Sequence, residues 1–168
     1  MNTNYTIHKN RQPPRQKGFS LVEVLIALVI MSVGMLGIAG LYVQGMQAGR
    51  SSMLRHQAVI LAGDIADRIR ANPTAGVAYD HIATAAGANN NCVNGGIDCN
   101  PAQMAANDIF IWQDQADNSL PGGDVAVAFT AAVGAQPPTY LITVTWTEPN
   151  PLGGVPPSYA ISIPVLPI

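Results

Sequence analysis

Between Ala71 and Ile168 the chain contains no lysine and no arginine. Seven acidic residues lie in the same span (Asp80, Asp98, Asp108, Asp114, Asp117, Asp124 and Glu148), so it carries a charge of −7. A surface without cations releases no counterions from a phosphate backbone, which excludes nucleic acid as its partner. Charge is scarce throughout, 11% of residues against 48% hydrophobic, and that balance excludes a disordered polyelectrolyte. Cysteine is nearly absent: Cys92 and Cys99 are too few for a zinc site and suit one small disulfide, which in turn suits an oxidising compartment. Histidine is limited to His8, His56 and His81, and there is no His-x-x-x-His, Cys-x-x-Cys, Walker loop or nucleophile elbow. His56 stands alone on a helical stretch, and Ser51 and Ser52 lack a matching His/Asp order. The expectation is a non-enzymatic chain with neither cofactor nor metal, and its 168 residues allow about one domain.

What is present is concentrated at the start. Residues 1–18 (MNTNYTIHKNRQPPRQKG) are polar and hold Lys9, Arg11, Arg15 and Lys17, half of the eight basic residues, together with paired prolines. Such a stretch neither nucleates a helix nor joins a core. From Val24 to Gly49 no residue is charged, and this run exceeds the roughly 20 residues that cross a bilayer's hydrocarbon. The basic residues ahead of it place the N-terminus in the cytoplasm and the remainder outside, although Arg50 and Arg55 on the far side weaken the bias. A secretory signal cut after Ala39 or Ala48 and a permanent single-span anchor are the simplest readings. Neither accounts for Glu23 at the head of the run, where an ionised carboxylate costs up to about 3 kcal/mol in lipid.

Lys17-Gly18-Phe19-Ser20-Leu21-Val22-Glu23 resembles the processing motif of type IV prepilins and type II secretion pseudopilins. The resemblance implies that 1–18 is a leader, that a prepilin peptidase cuts between Gly18 and Phe19, and that the new Phe19 amine is methylated. It also gives Glu23 a partner. One helical turn separates the freed amine from the carboxylate, so neighbouring subunits neutralise each other, and a buried carboxylate becomes tolerable in the polymer. The stretch from His56 to Pro73 (HQAVILAGDIADRIRANP), a short helix with Trp112 and the following Leu-Pro-Gly-Gly resemble the minor pilins called PilV. This implies a structural subunit that helps initiate pilus assembly, with other minor pilins, the major pilin and a tip adhesin as partners. A minor pseudopilin of type II secretion shares the same N-terminal chemistry and is the alternative. The location implied is the inner membrane, with the remainder of the chain periplasmic, and then the pilus.

No proline interrupts Phe19 to Asn72, so one helix of about 54 residues is expected. Its first half (19–49) is the membrane or filament-core part. Its second half opens a head domain over 50–168. There Met53, Val59 or Ile60, Ala66 and Ile69 recur at helical spacing, broadened by Leu54, Leu61 and Ile65, while Arg55, Asp64, Asp67 and Arg68 turn to water. Gly34, Gly37 and Gly40 suit close helix contacts or local unwinding. Residues 74–100 read as a long loop closed by the Cys92–Cys99 ring. Asn100-Pro101 starts a helix to about 116, carrying Ala105, Ile109, Trp112 and Ala116 on one face. Period-two patterns around 125–129, 140–147 and 159–165 predict three strands in an antiparallel meander, the last confined to an edge by Pro164 and Pro167. The fold class expected is α+β, pilin-like, with the amphipathic half of the helix packed on a small sheet.

Overall fold

The computed structural model describes residues 18–93, 97–149 and 155–166; residues 1–17 of the expected leader, including His8, lie outside the described residues. Two compact units divide between Gly45 and Met46. The first helix, α1, spans Leu21–Ala71, beginning two residues later than the sequence pattern suggests and stopping just ahead of Asn72-Pro73. Within the first unit every described residue, from Gly18 onward, is exposed, including the whole apolar run. Nothing in that unit covers Leu25, Leu28, Met31 or Leu36.

The second unit contains the rest of α1, a short 3-10 helix over Pro73–Tyr79, a second helix α2 (Pro101–Ser119), and strands β1 (Asp124–Thr130), β2 (Thr139–Thr145) and β3 (Ser158–Pro164). Helix α2 starts where Asn100-Pro101 predicts. The Asn100 side chain accepts the Gln103 N–H at 2.9 Å, and the Gln103 side chain accepts the Asn100 N–H at 3.0 Å. This reciprocal cap satisfies two otherwise orphaned donors, and Pro101 occupies the first turn, where no amide is needed. The helix runs to Ser119, about one turn past the expected end, because Asp117, Asn118 and Ser119 contain no breaker until Leu120-Pro121.

The three strands form an antiparallel meander in the order β1-β2-β3, with Val127, Ile142 and Ile161 in register. Alternation puts Val125, Val127, Tyr140, Ile142, Val144, Trp146 and Ile163 on one buried face. That face, α2 and the second half of α1 share one hydrophobic core. The fold is therefore α+β: a long N-terminal apolar helix and a three-stranded antiparallel head.

Three sequence expectations are corrected here. The buried stripe of α1 is Leu54, Ala58, Leu61, Ala62, Ile65, Ala66 and Ile69, whereas Met53 and Ile60 are 63% and 58% exposed and Val59 is also exposed. The helix is apolar on several sides, and the side chosen is the one whose alanines let the helix lie close to its neighbours. Arg68 does not simply face water but bridges to α2. Residues 74–100 are not a bare loop. They include the 3-10 segment, which buries Tyr79 completely, and a β-bridge from His81 to Val127. Gly76 lies inside that segment at φ +51, a left-handed conformation that strains any side chain with a Cβ. Its carbonyl accepts the Tyr140 hydroxyl at 3.0 Å, locking the kink to β2. Gly87 is fixed by proximity instead: a Cβ there would overlap the Phe110 amide and the Ala106 carbonyl of α2.

Candidate functional site

The N-terminal segment is built from few parts. Gly18, Phe19 and Ser20 precede α1. The Ser20 hydroxyl accepts the Val22 N–H at 3.3 Å and the Ser20 carbonyl accepts the Val24 N–H at 3.2 Å, so Ser20 caps the helix. Glu23 lies in the first turn, where the positive end of the helix dipole favours an anion. No cation forms an ion pair with it among the described residues. Gly18 has open space around its Cα, and Phe19 is 83% exposed, so the backbone between them is accessible. The apolar run that follows is long enough to cross a membrane, and none of its most apolar stretch is buried.

The head holds its polar groups in structural roles. Asp108, whose side chain is 4% exposed, accepts from Arg68 Nη1 at 3.1 Å and from the Tyr79 hydroxyl at 2.7 Å. Arg68 also reaches Asp64 at 3.0 Å, and Asn72 donates to Tyr79 at 3.2 Å. Burial opposes the Arg68 charge, but the bonds to Asp64 and Asp108 outweigh it and raise the guanidinium above its ordinary pKa. Tyr79 is held well above the usual phenol range, first by burial and then by donating to Asp108. The phenol therefore stays a donor. Sequence reasoning missed this cluster, although Asp108 falls between Ala105 and Trp112 on the apolar stripe of α2, and a carboxylate on such a stripe needs a partner. Cys92 and Cys99 are joined. Their ring sits against α2, where buried Asn107 accepts the Asn90 amide at 3.0 Å and Gln103 O lies 3.8 Å from Cys92 Sγ.

His81 is buried, and its Nε2 lies 3.0 Å from Gln113 Nε2. The same Gln113 amide group donates to the Val125 carbonyl at 3.1 Å, which fixes its orientation and leaves His81 Nε2 as the acceptor. Neutral imidazole is thus the form that fits. Burial lowers the His81 pKa, against the opposing attraction of Asp124. The unfolded chain then binds more protons than the folded one below an ordinary histidine pKa of about 6.5, so stability is complete above that value and falls as pH drops through it. We expect the thermal midpoint of the head to fall between pH 7.5 and 5.5, and the fall to be smaller in His81→Gln. An equal fall in both would assign the effect to other groups. His56 is exposed on α1. Among the described residues no three His, Cys, Asp or Glu side chains converge to hold a metal.

A family model described as type IV pilin Tt1218 matches residues 40–110. A second, the prokaryotic N-terminal methylation motif, matches residues 13–39 and includes Gly18, Phe19 and Glu23. Together they take in more than half of the 168 residues. The chain is a type IV pilin. No curated protein and no solved structure matches it. In a pilin the exposed apolar half of α1 is understood as a surface made for lipid and then for other subunits, and the methylation-type motif implies processing by a prepilin peptidase and assembly with other pilins. In the pilin head, the Arg68–Asp108 pair ties α1 to α2, and the Cys92–Cys99 bridge closes beside α2.

Proposed function

We propose that this pilin is a minor structural subunit of type IV pili that helps initiate assembly and presents a tip adhesin. Water cleaves the Gly18–Phe19 peptide bond in the prepilin peptidase, leaving a carboxylate on Gly18 and a free amine on Phe19. That amine then displaces the methyl group of a sulfonium-type methyl donor, with the donor leaving as its thioether and one N–H proton passing to solvent. Glu23 is the assembly carboxylate, neutralised by the amine of an adjacent subunit. Before assembly α1 crosses the inner membrane once, N-terminus inward and head in the periplasm. The observation that carries the reading is the conjunction at one helix start: an accessible Gly18–Phe19 bond, a carboxylate one turn on, and an uncovered apolar helix behind it. A secretory signal needs no such carboxylate, and a permanent anchor has no use for one. The minor role is supported by the PilV-like stretch His56–Pro73, with Trp112 and Leu120-Pro121-Gly122-Gly123.

Intact-mass analysis and N-terminal sequencing of the membrane-extracted protein test the processing. The expected mature end is a methylated Phe19; an end after Ala39 or Ala48 would refute it. Recovery of the processed protein with pilus subunits in sheared filaments supports the pilus assignment. Recovery only with secretion-system subunits would make it a pseudopilin.

A further inference from the structure

The two edges of the sheet are finished differently. On β1 the amides that point away from β2 belong to Val125, Val127 and Phe129, and each is occupied. Val125 N–H donates to Asp124 Oδ1 at 2.8 Å, Val127 N–H to the His81 carbonyl at 2.7 Å, and Phe129 N–H to Asp80 Oδ1 at 3.1 Å. The carbonyls of Val125 and Val127 accept from Gln113 Nε2 and the His81 amide. Residues 80–81 therefore seal that edge against pairing.

The β3 edge has no such seal. Trp146 N–H donates to the Pro157 carbonyl at 3.2 Å and Val165 N–H to the Pro138 carbonyl at 3.0 Å, which sets the alternation along the β2–β3 ladder. Residues 157, 159, 161, 163 and 165 turn their backbone groups toward β2, and Ser158, Ala160 and Ser162 turn theirs outward. These three residues are exposed, and none of their amides has a partner among the described residues. None of the usual devices guards the strand. It has no charge, and its one proline, Pro164, comes at its last position, where it ends the pairing without blocking it. The core face beside the edge is unfinished as well, for Tyr159 and Ile161 pack against the core but stay half-exposed.

We infer that β3 is a docking edge that takes an extended segment of an adjacent filament subunit as a fourth strand. The chemistry of the site selects its occupant. Three outward N–H groups with their carbonyls are complementary to a backbone in β conformation. The half-covered Tyr159 and Ile161 call for apolar side chains at alternate positions of the incoming segment. The small outward-facing Ser158, Ala160 and Ser162 leave room beside its other side chains. The inference rests on reading the chain as a filament subunit and adds where, and by what kind of contact, a neighbour is held.

The test uses the full processed protein in membranes and in sheared filaments, with deuterium uptake read on the peptide covering residues 157–164. Exposed amides exchange freely in the membrane form, and pairing should slow those of Ser158, Ala160 and Ser162 by about tenfold or more in filaments. Ala160→Pro removes one outward donor without touching the ladder to β2, whereas Ala160→Thr keeps the amide. Incorporation of Ala160→Pro should fall about fivefold or more, the factor for a lost hydrogen bond, and Ala160→Thr should match wild type. Unchanged exchange of this peptide in filaments that contain the wild-type protein would overturn the inference even if Ala160→Pro fails to fold. Absence of wild-type protein from filaments altogether would instead overturn the subunit reading, and this inference with it.

Discussion

If Phe19 is the mature end as proposed, Glu23→Ala is expected to be processed there to the same extent as the wild type, to fold its head normally, and to be nearly missing from filaments. The head is built from residues beyond Met46, and Glu23 takes no part in its core. Removing one member of a buried ion pair leaves the other charge uncompensated, which costs about 3–5 kcal/mol. At the lower figure the incorporation equilibrium shifts by about a hundredfold. Glu23→Asp keeps the charge on a side chain one methylene shorter and should fall between. The measurement is the amount of each variant in sheared filaments relative to membranes, with the mature N-terminus verified by mass. Wild-type incorporation of Glu23→Ala would show that this subunit docks without the pair.

Asp108→Ala is expected to be the most destabilising polar substitution in the head. It strips the acceptor from the Tyr79 hydroxyl in a fully buried position and removes one of the two carboxylates that hold Arg68. Breaking a buried pair by removing one partner costs about 3–5 kcal/mol. Arg68 is partly exposed and keeps Asp64, so a loss nearer the lower figure is expected. Against a typical domain stability of about 5–15 kcal/mol that is a large share. Asp108→Asn retains an acceptor for Tyr79 and should lose less. Tyr79→Phe removes the donor while leaving Asp108 paired with Arg68, and should lose less again. Denaturant midpoints of the three variants give the order, and a midpoint for Asp108→Ala equal to wild type would show the cluster to be ornamental.

The parts of this structure legible in the sequence are those with a regular period or a local terminator. The uncharged run from Val24, the Asn100-Pro101 start of α2 and the alternation of Tyr140, Ile142 and Val144 each carry their own signal within a few residues. Gly18, Phe19 and Glu23 carry a local signal of the same kind, a spacing that falls inside the methylation-motif match over residues 13–39. What stayed hidden depends on residues far apart in the chain. The α1 stripe had several apolar candidates, and the choice of Ala58 and Ala62 over Met53 and Ile60 was made by what packs against the helix. Tyr79 looked like a loop residue because its partner Asp108 comes 29 positions later. Asp80 and His81 close the β1 edge from more than 40 positions away, and the open edge of β3 becomes noticeable only once that closure is seen.

The order of the elements also sets a timetable. Ser51 donates to Glu148, 97 positions further on, and the same Glu148 oxygen accepts the Trp146 indole at 2.9 Å. The stripe of α1 from Leu54 to Ile69 is thus made early, while much of its cover, on β2 and β3, is made last. At about 5–20 residues per second this stripe waits on the order of 5–20 s for its partners. During that interval a nascent chain displays two sticky surfaces, one destined for lipid or neighbours and one for its own sheet. Substitutions that enlarge the second, such as Ala58 or Ala62 to leucine, should lower yield through aggregation of unfinished chains as well as by crowding the finished core.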